Sequence, residues 1–138
     1  VTTFIDTSFL VALVLKDDAL HRRAAAWDAS ITGSCLTTEF VLFEFANYLS
    51  VSRLKALAWK TIDQLRQDPF IEIVSSDQGW VEEGYQLFRS HSDKDWSLTD
   101  CTSFLVMKQR GIVDALTHDH HFEQAGFRAL LRGEPTSN

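Results

Sequence analysis

The sequence predicts an α/β fold, a three-layer α/β/α sandwich with a mainly parallel central sheet. Three observations point to it. β-Branched and aromatic runs alternate with helical-period segments along the chain, an order that requires crossover connections and hence parallel strand pairing. Two of the strand-like runs are followed by an acid, Asp6 at once and Asp119 after His118, and a parallel sheet would bring both to its carboxyl edge. No repeat, linker or low-complexity block divides the 138 residues, so residues 1–132 are expected to form one domain and 133–138 a flexible tail.

The elements follow in order. Val1 to Ile5 reads as a buried strand, followed after Thr7-Ser8 by the apolar helix Phe9–Leu15. Ala19 to Ile31 has high helix propensity, with Leu20, Ala24 and Trp27 on one face. Ser34 to Thr37 is a short strand, and Thr37 or Thr38 can cap a helix over Glu39–Ser52. Another helix, Leu54–Gln67, stops before Pro69. Phe70–Val74 is the next strand, and Asp77 opens a helix carrying Val81, Tyr85 and Phe88 that ends near His91. Ser97–Arg110 is a helix closed by Gly111, Ile112–Thr117 a strand, Asp119–Ala125 a short helix and Phe127–Leu131 a last strand.

Composition excludes several classes. The longest apolar runs fall well short of the roughly 20 residues that cross a bilayer, and nothing reads as a signal peptide, so a cytoplasmic protein without membrane contact is expected. Cys35 and Cys101 lack ligand spacing and read as free thiols in a reducing compartment. A net charge of −6 argues against a generic nucleic-acid binder. That objection weakens if several acids share a cation, which inverts the local field.

Four acids are candidates for such sharing. Asp6 ends the first strand and either caps the following helix or faces the crevice. Glu44 interrupts an apolar run, with Phe40, Val41, Asn47 and Tyr48 as its helical neighbours, where a carboxylate is expensive to bury without a cation or donor. Asp100 fits a capping box with Ser97 and could also turn an oxygen to a metal. Asp119 follows a second strand and, taken alone, reads first as a helix cap. Glu39 sits in a first turn, where the macrodipole accounts for it, about 140° around the helix from Glu44. Together the four suggest an oxygen-rich site for a hard cation, Mg²⁺ or Mn²⁺.

The segments Phe4-Ile5-Asp6-Thr7-Ser8, Thr38 to Phe45 around Glu44, Trp96 to Cys101 around Asp100, and Ala115 to Phe122 around Asp119 stand in an order that resembles the PIN-domain family, most closely VapC-type toxins of bacterial toxin–antitoxin pairs. The resemblance extends over nearly the whole chain. It implies a divalent-metal-dependent ribonuclease in which Asp6, Glu44, Asp100 and Asp119 hold the metal and carry catalysis. Thr7 and Ser8 would offer a hydroxyl or amide near the metal or phosphate, and Thr117 would support the fourth acid. An RNA substrate, a small antitoxin partner and a homodimer are implied on the same ground.

Hydrolysis by metal-activated water would leave a 5′-phosphate and a 3′-hydroxyl. A rival, metal-free route through His118, His120 and His121 would leave a 2′,3′-cyclic phosphate, though these histidines are expected to be solvated or packed around Phe122. Arg22, Arg23, Lys55 and Lys94 flank element ends and are candidates for phosphate contacts. A haloacid-dehalogenase phosphatase would want an Asp where Ser8 stands, and a receiver domain would want paired acids at the first strand end. The competing functions are a non-catalytic PIN-like binding module and a stand-alone RNA-processing nuclease.

Overall fold

Strand β1 (Thr3–Ile5) lies at the centre of a five-stranded sheet and is buried throughout. The structure, a computed structural model, describes residues 1–136. Around β1 the sheet runs β3 (Ile71–Val74), β2 (Cys35–Thr38), β1, β4 (Asp114–Leu116), β5 (Arg128–Ala129), every neighbouring pair parallel. Phe4 pairs in register with Leu36 on one side and Ala115 on the other. The expected α/β class and parallel sheet are what the molecule has. The last predicted strand is shorter than expected: after Ala129 the chain tightens into a 3₁₀ turn over Leu130–Arg132, whose Leu131 amide reaches back to Thr117 O at 3.0 Å.

Seven helices connect these strands among the described residues: α1 (Thr7–Val14), α2 (His21–Ser30), α3 (Glu39–Tyr48), α4 (Ser52–Gln67), α5 (Gln78–Ser90), α6 (Leu98–Arg110) and α7 (His120–Gln124). Local chemistry sets their ends. Asp18 accepts the amide of Leu20 at 2.8 Å, so helix α2 starts later than its propensity suggests. Thr38, rather than Thr37, caps α3 through the Val41 amide. Gly111 closes α6 in the left-handed conformation with φ 67°. No helix among the described residues is long and apolar enough to cross a membrane.

Two packing features hold the carboxyl edge of the sheet in shape. Helix α6 lies close against α5 because Gly84 has no side chain there: a Cβ would meet Thr102 Cγ2 at 2.5 Å. Phe104 of α6 packs edge-on against Phe122 of α7 at 4.9 Å and against Trp96 at 5.1 Å, and Phe122 in turn neighbours Phe4 of β1. That aromatic column ties three acid-bearing regions to one core. The start of the expected free tail is docked, since Trp27 Nε1 donates to Gly133 O and Arg22 and Arg23 both bond Glu134. Residues 137–138 of that tail fall outside the described residues.

Candidate metal centre

In an open parallel sheet the crevice opens where strand order reverses, here between β1 and β4, because the chain leaves β1 toward β2 and returns to its other side at β4. Asp6 follows the end of β1, and Thr117 to Asp119 follow the end of β4. Asp6, Glu44, Asp100 and Asp119 all line one cavity of about 810 Å³ at this point, together with Thr7 and Ser8. Four acids from four segments of the sequence therefore share one crevice.

Asp6 stands at the N-cap position of α1, yet its side chain makes no capping hydrogen bond. Its Oδ2 instead accepts from Thr117 Oγ1 at 2.8 Å and Ser8 Oγ at 3.2 Å. The two hydroxyls lie 3.1 Å apart, and Thr117 Oγ1 also accepts the Asp119 amide at 3.1 Å. Thr117 thus braces the first acid as well as the fourth. Thr7 turns its hydroxyl toward Val41 O at 3.5 Å, so its contribution to Asp6 is the backbone amide.

Asp100 and Asp119 serve as caps and also belong to the cavity. Asp100 completes the capping box, accepting the Ser97 amide on Oδ2 at 3.0 Å while its own amide donates to Ser97 Oγ. Asp119 Oδ1 accepts the His121 amide at 2.9 Å. One oxygen of each carboxylate is used locally, which fixes the side chain and leaves Asp100 Oδ1 and Asp119 Oδ2 for another partner. The two readings of these residues were never exclusive. Glu44 is half-buried on α3, while Glu39 is taken up by the Ser76 amide and hydroxyl and stays out of the cavity.

Electrostatics show what such a cluster lacks. Burial raises the Asp6 carboxyl from 3.8 to about 7, the charges of Asp100 and Glu44 adding to the rise while the Thr117 hydroxyl and Thr7 amide oppose it. Asp100 is pushed up too, first by burial and then by Asp119 and Glu44, against the Ser97 amide and His121. No lysine or arginine among the described residues pairs with any of the four acids. Repelling, partly desolvated carboxylates that no lysine or arginine among the described residues neutralises have the donor chemistry that suits a hard divalent cation.

Two side chains here differ from the sequence reading, which weighed His121 only for a metal-free route and did not name Arg132. His121 is not a solvated or simply packed residue: its Nδ1 lies 3.0 Å from Asp119 Oδ1 and 3.3 Å from Asp100 Oδ2, aligned with neither as a hydrogen bond. With Asp119 and His120 it forms a group whose ligand atoms all lie within 4.8 Å of one another. Arg132, from the 3₁₀ turn, is the one Lys or Arg among the described residues lining the cavity, and it is paired with Glu123 at 2.9 Å. Arg22 and Arg23, expected as phosphate contacts, are bound to Glu134, and Lys94 lies 3.8 Å from Asp93. Arg132 had no motif to mark it; for His121 the contact with Asp119 is local, and it is the one with Asp100, brought in by α6, that the sequence did not signal.

The comparison with known families settles what kind of domain carries this crevice. Residues 3–128 match the PIN domain, close to the whole described chain. The chain belongs to the PIN-domain family. The PIN chain is 31% identical over 124 residues to the 23S rRNA-specific endonuclease VapC20 of Mycobacterium tuberculosis, covering 90% of this chain and 94% of that one. The crystal structure of VapC20, described as a Sarcin-Ricin loop cleaving toxin, superposes with a TM-score of 0.82 at 30% identity, over 91% of this chain and 95% of that one. FitAcB from Neisseria gonorrhoeae shares the fold at a TM-score of 0.67 and 17% identity, over 94% and 96% of the two chains.

Thr117 offers a test of how this PIN domain arranges its acids. Thr117→Val removes the hydroxyl that holds Asp6 Oδ2 and the Asp119 amide while keeping the volume. Loss of such an outer support typically lowers metal affinity or activity about 10- to 100-fold. Isothermal titration of the variant with Mn²⁺ is expected to show weakening in this range. Unchanged affinity would mean that the hydroxyl does not orient the site.

Proposed function

We propose that this PIN domain is a divalent-metal-dependent endoribonuclease, using Mg²⁺ or Mn²⁺, and the toxin of a toxin–antitoxin pair. The observation that carries the reading is the convergence of Asp6, Glu44, Asp100 and Asp119 on one crevice, where no lysine or arginine among the described residues is paired with them. Kinship with VapC20, an rRNA endonuclease over nearly its whole length, supports RNA as the substrate class.

Each residue has a definable part. Asp6, Glu44, Asp100 and Asp119 would hold the cation, with Ser8 and Thr117 fixing Asp6 from behind. When bound, the cation would activate the attacking water and neutralise charge building on the phosphate. Asp100 Oδ1 or Asp119 Oδ2, the oxygens unused in capping, would take the proton of that water. His121, in contact with both carboxylates, would keep them apart and oriented. Arg132 would meet a neighbouring phosphate from the rim, supplying positive charge that the net −6 of the chain otherwise lacks.

A small antitoxin that covers the acids, a homodimeric assembly and a cytoplasmic location complete the reading. The test is cleavage of total RNA by purified protein with Mg²⁺ or Mn²⁺, with and without EDTA, followed by analysis of the new ends. Cleavage that EDTA stops and that leaves 5′-phosphates is expected. Cleavage that survives EDTA, or cyclic phosphate ends, would instead assign the chemistry to the histidines.

A further inference from the structure

We propose that Tyr48 is a stacking platform for the nucleobase next to the cleaved phosphate, a reading that rests on the ribonuclease function above and names how the substrate is gripped. Exposed apolar side chains are ordinary on a protein surface and mean little one by one. Tyr48 differs by its place. Among the large hydrophobics exposed in the described residues, it alone lines the acid cavity, with its residue 64% exposed. Phe43, Trp59, Phe70, Tyr85 and Phe88 are exposed elsewhere.

Tyr48 lies four residues after Glu44 on α3, so the two side chains stand one turn apart on the same helix face. A phosphate at the acids would put an adjoining base over the ring. The ring pairs with no other aromatic among the described residues, leaving its faces open. Val11 and Leu20 add apolar lining to the same cavity. The charge balance favours such a platform: beyond a cation at the acids, Arg132 is the one guanidinium among the described residues lining this cavity, so few phosphates can be held there. Base stacking gives affinity without positive charge.

The chain has two tyrosines, which gives a direct readout. In protein carrying 3-fluorotyrosine, ¹⁹F NMR shows Tyr48 and Tyr85 separately, Tyr48 being assigned by the loss of its signal in Tyr48→Phe. Titration with adenosine 5′-monophosphate in Mg²⁺ is expected to move the Tyr48 resonance and leave Tyr85, while ribose 5-phosphate moves neither. On a random-sequence RNA octamer, Tyr48→Ala is expected to raise KM about tenfold, the scale of one lost base stack, with kcat little changed. Tyr48→Phe restores KM, because the ring and not the hydroxyl does the stacking.

Equal responses to the two phosphates, or a Tyr48→Ala enzyme with unchanged KM, would overturn the platform and leave the ring to a protein partner. A fall in kcat alone would also overturn it. If the wild-type protein cleaves no RNA, the ribonuclease reading fails on its own terms. The NMR titration then still decides whether Tyr48 meets a base.

Discussion

Asp6→Asn is expected to abolish RNA cleavage and, at pH 8 without metal, to make the protein more stable. Both effects come from one carboxylate. Asn is nearly isosteric, and its single oxygen can take the place of Oδ2, keeping the hydroxyls of Thr117 and Ser8 satisfied. What is lost is a negative charge at the end of β1, and with it a cation ligand; activity should fall about 10³-fold or more. What is gained is relief from holding a buried charge beside Asp100 and Glu44. Steady-state cleavage of RNA and urea unfolding in EDTA read the two sides separately. A variant that is both inactive and less stable would show that Asp6 is a structural residue.

The same carboxylate gives the second large effect, an inverted pH dependence of stability in the metal-free protein. The folded value of Asp6, about 7, lies above its ordinary 3.8. Between these values the folded state holds a proton that the unfolded chain has released, so stability falls as pH rises. The contribution is fully present below about pH 4 and gone above about pH 7, worth about 4 kcal/mol from Asp6 at 1.36 kcal/mol per pH unit. Asp100 shifts in the same direction. Urea unfolding in EDTA should therefore show lower stability at pH 8 than at pH 5, and Asp6→Asn should flatten the difference. Saturating Mn²⁺ should restore stability at pH 8, by about 2.7 kcal/mol at a hundred times its Kd. Stability that rises from pH 5 to pH 8 in EDTA would contradict the shift.

Much of the architecture was readable from the chain because alternation of buried runs and helical periods is a local signal. The order that sets β1 between β2 and β4, and its register there, depends on contacts between distant segments and was not readable. Site legibility divides along the same line. Asp6 could be placed at a strand end, but whether its carboxylate capped α1 depended on Thr117, a partner 111 positions away. Asp100 and Asp119 did cap their helices, and sequence could not show that capping occupies a single oxygen of each. Glu44 was marked by its apolar neighbours, yet its half-buried position at the crevice is set by how α3 packs. His121 followed Asp119 and His120 in a string that reads as an ordinary helix start; only the approach of α6 brings Asp100 to it. Arg22 and Arg23 looked available because Glu134, their partner, is over a hundred residues away.

A divalent-cation site formed by Asp6, Glu44, Asp100 and Asp119 should hold manganese as readily as magnesium. Anomalous diffraction from crystals grown with Mn²⁺ tests it most directly, because manganese is located without reference to activity. A peak in the crevice between β1 and β4, within coordination distance of oxygens from these four residues, is the expected result. An empty crevice at saturating Mn²⁺, or a peak whose ligands exclude Asp6, would contradict it.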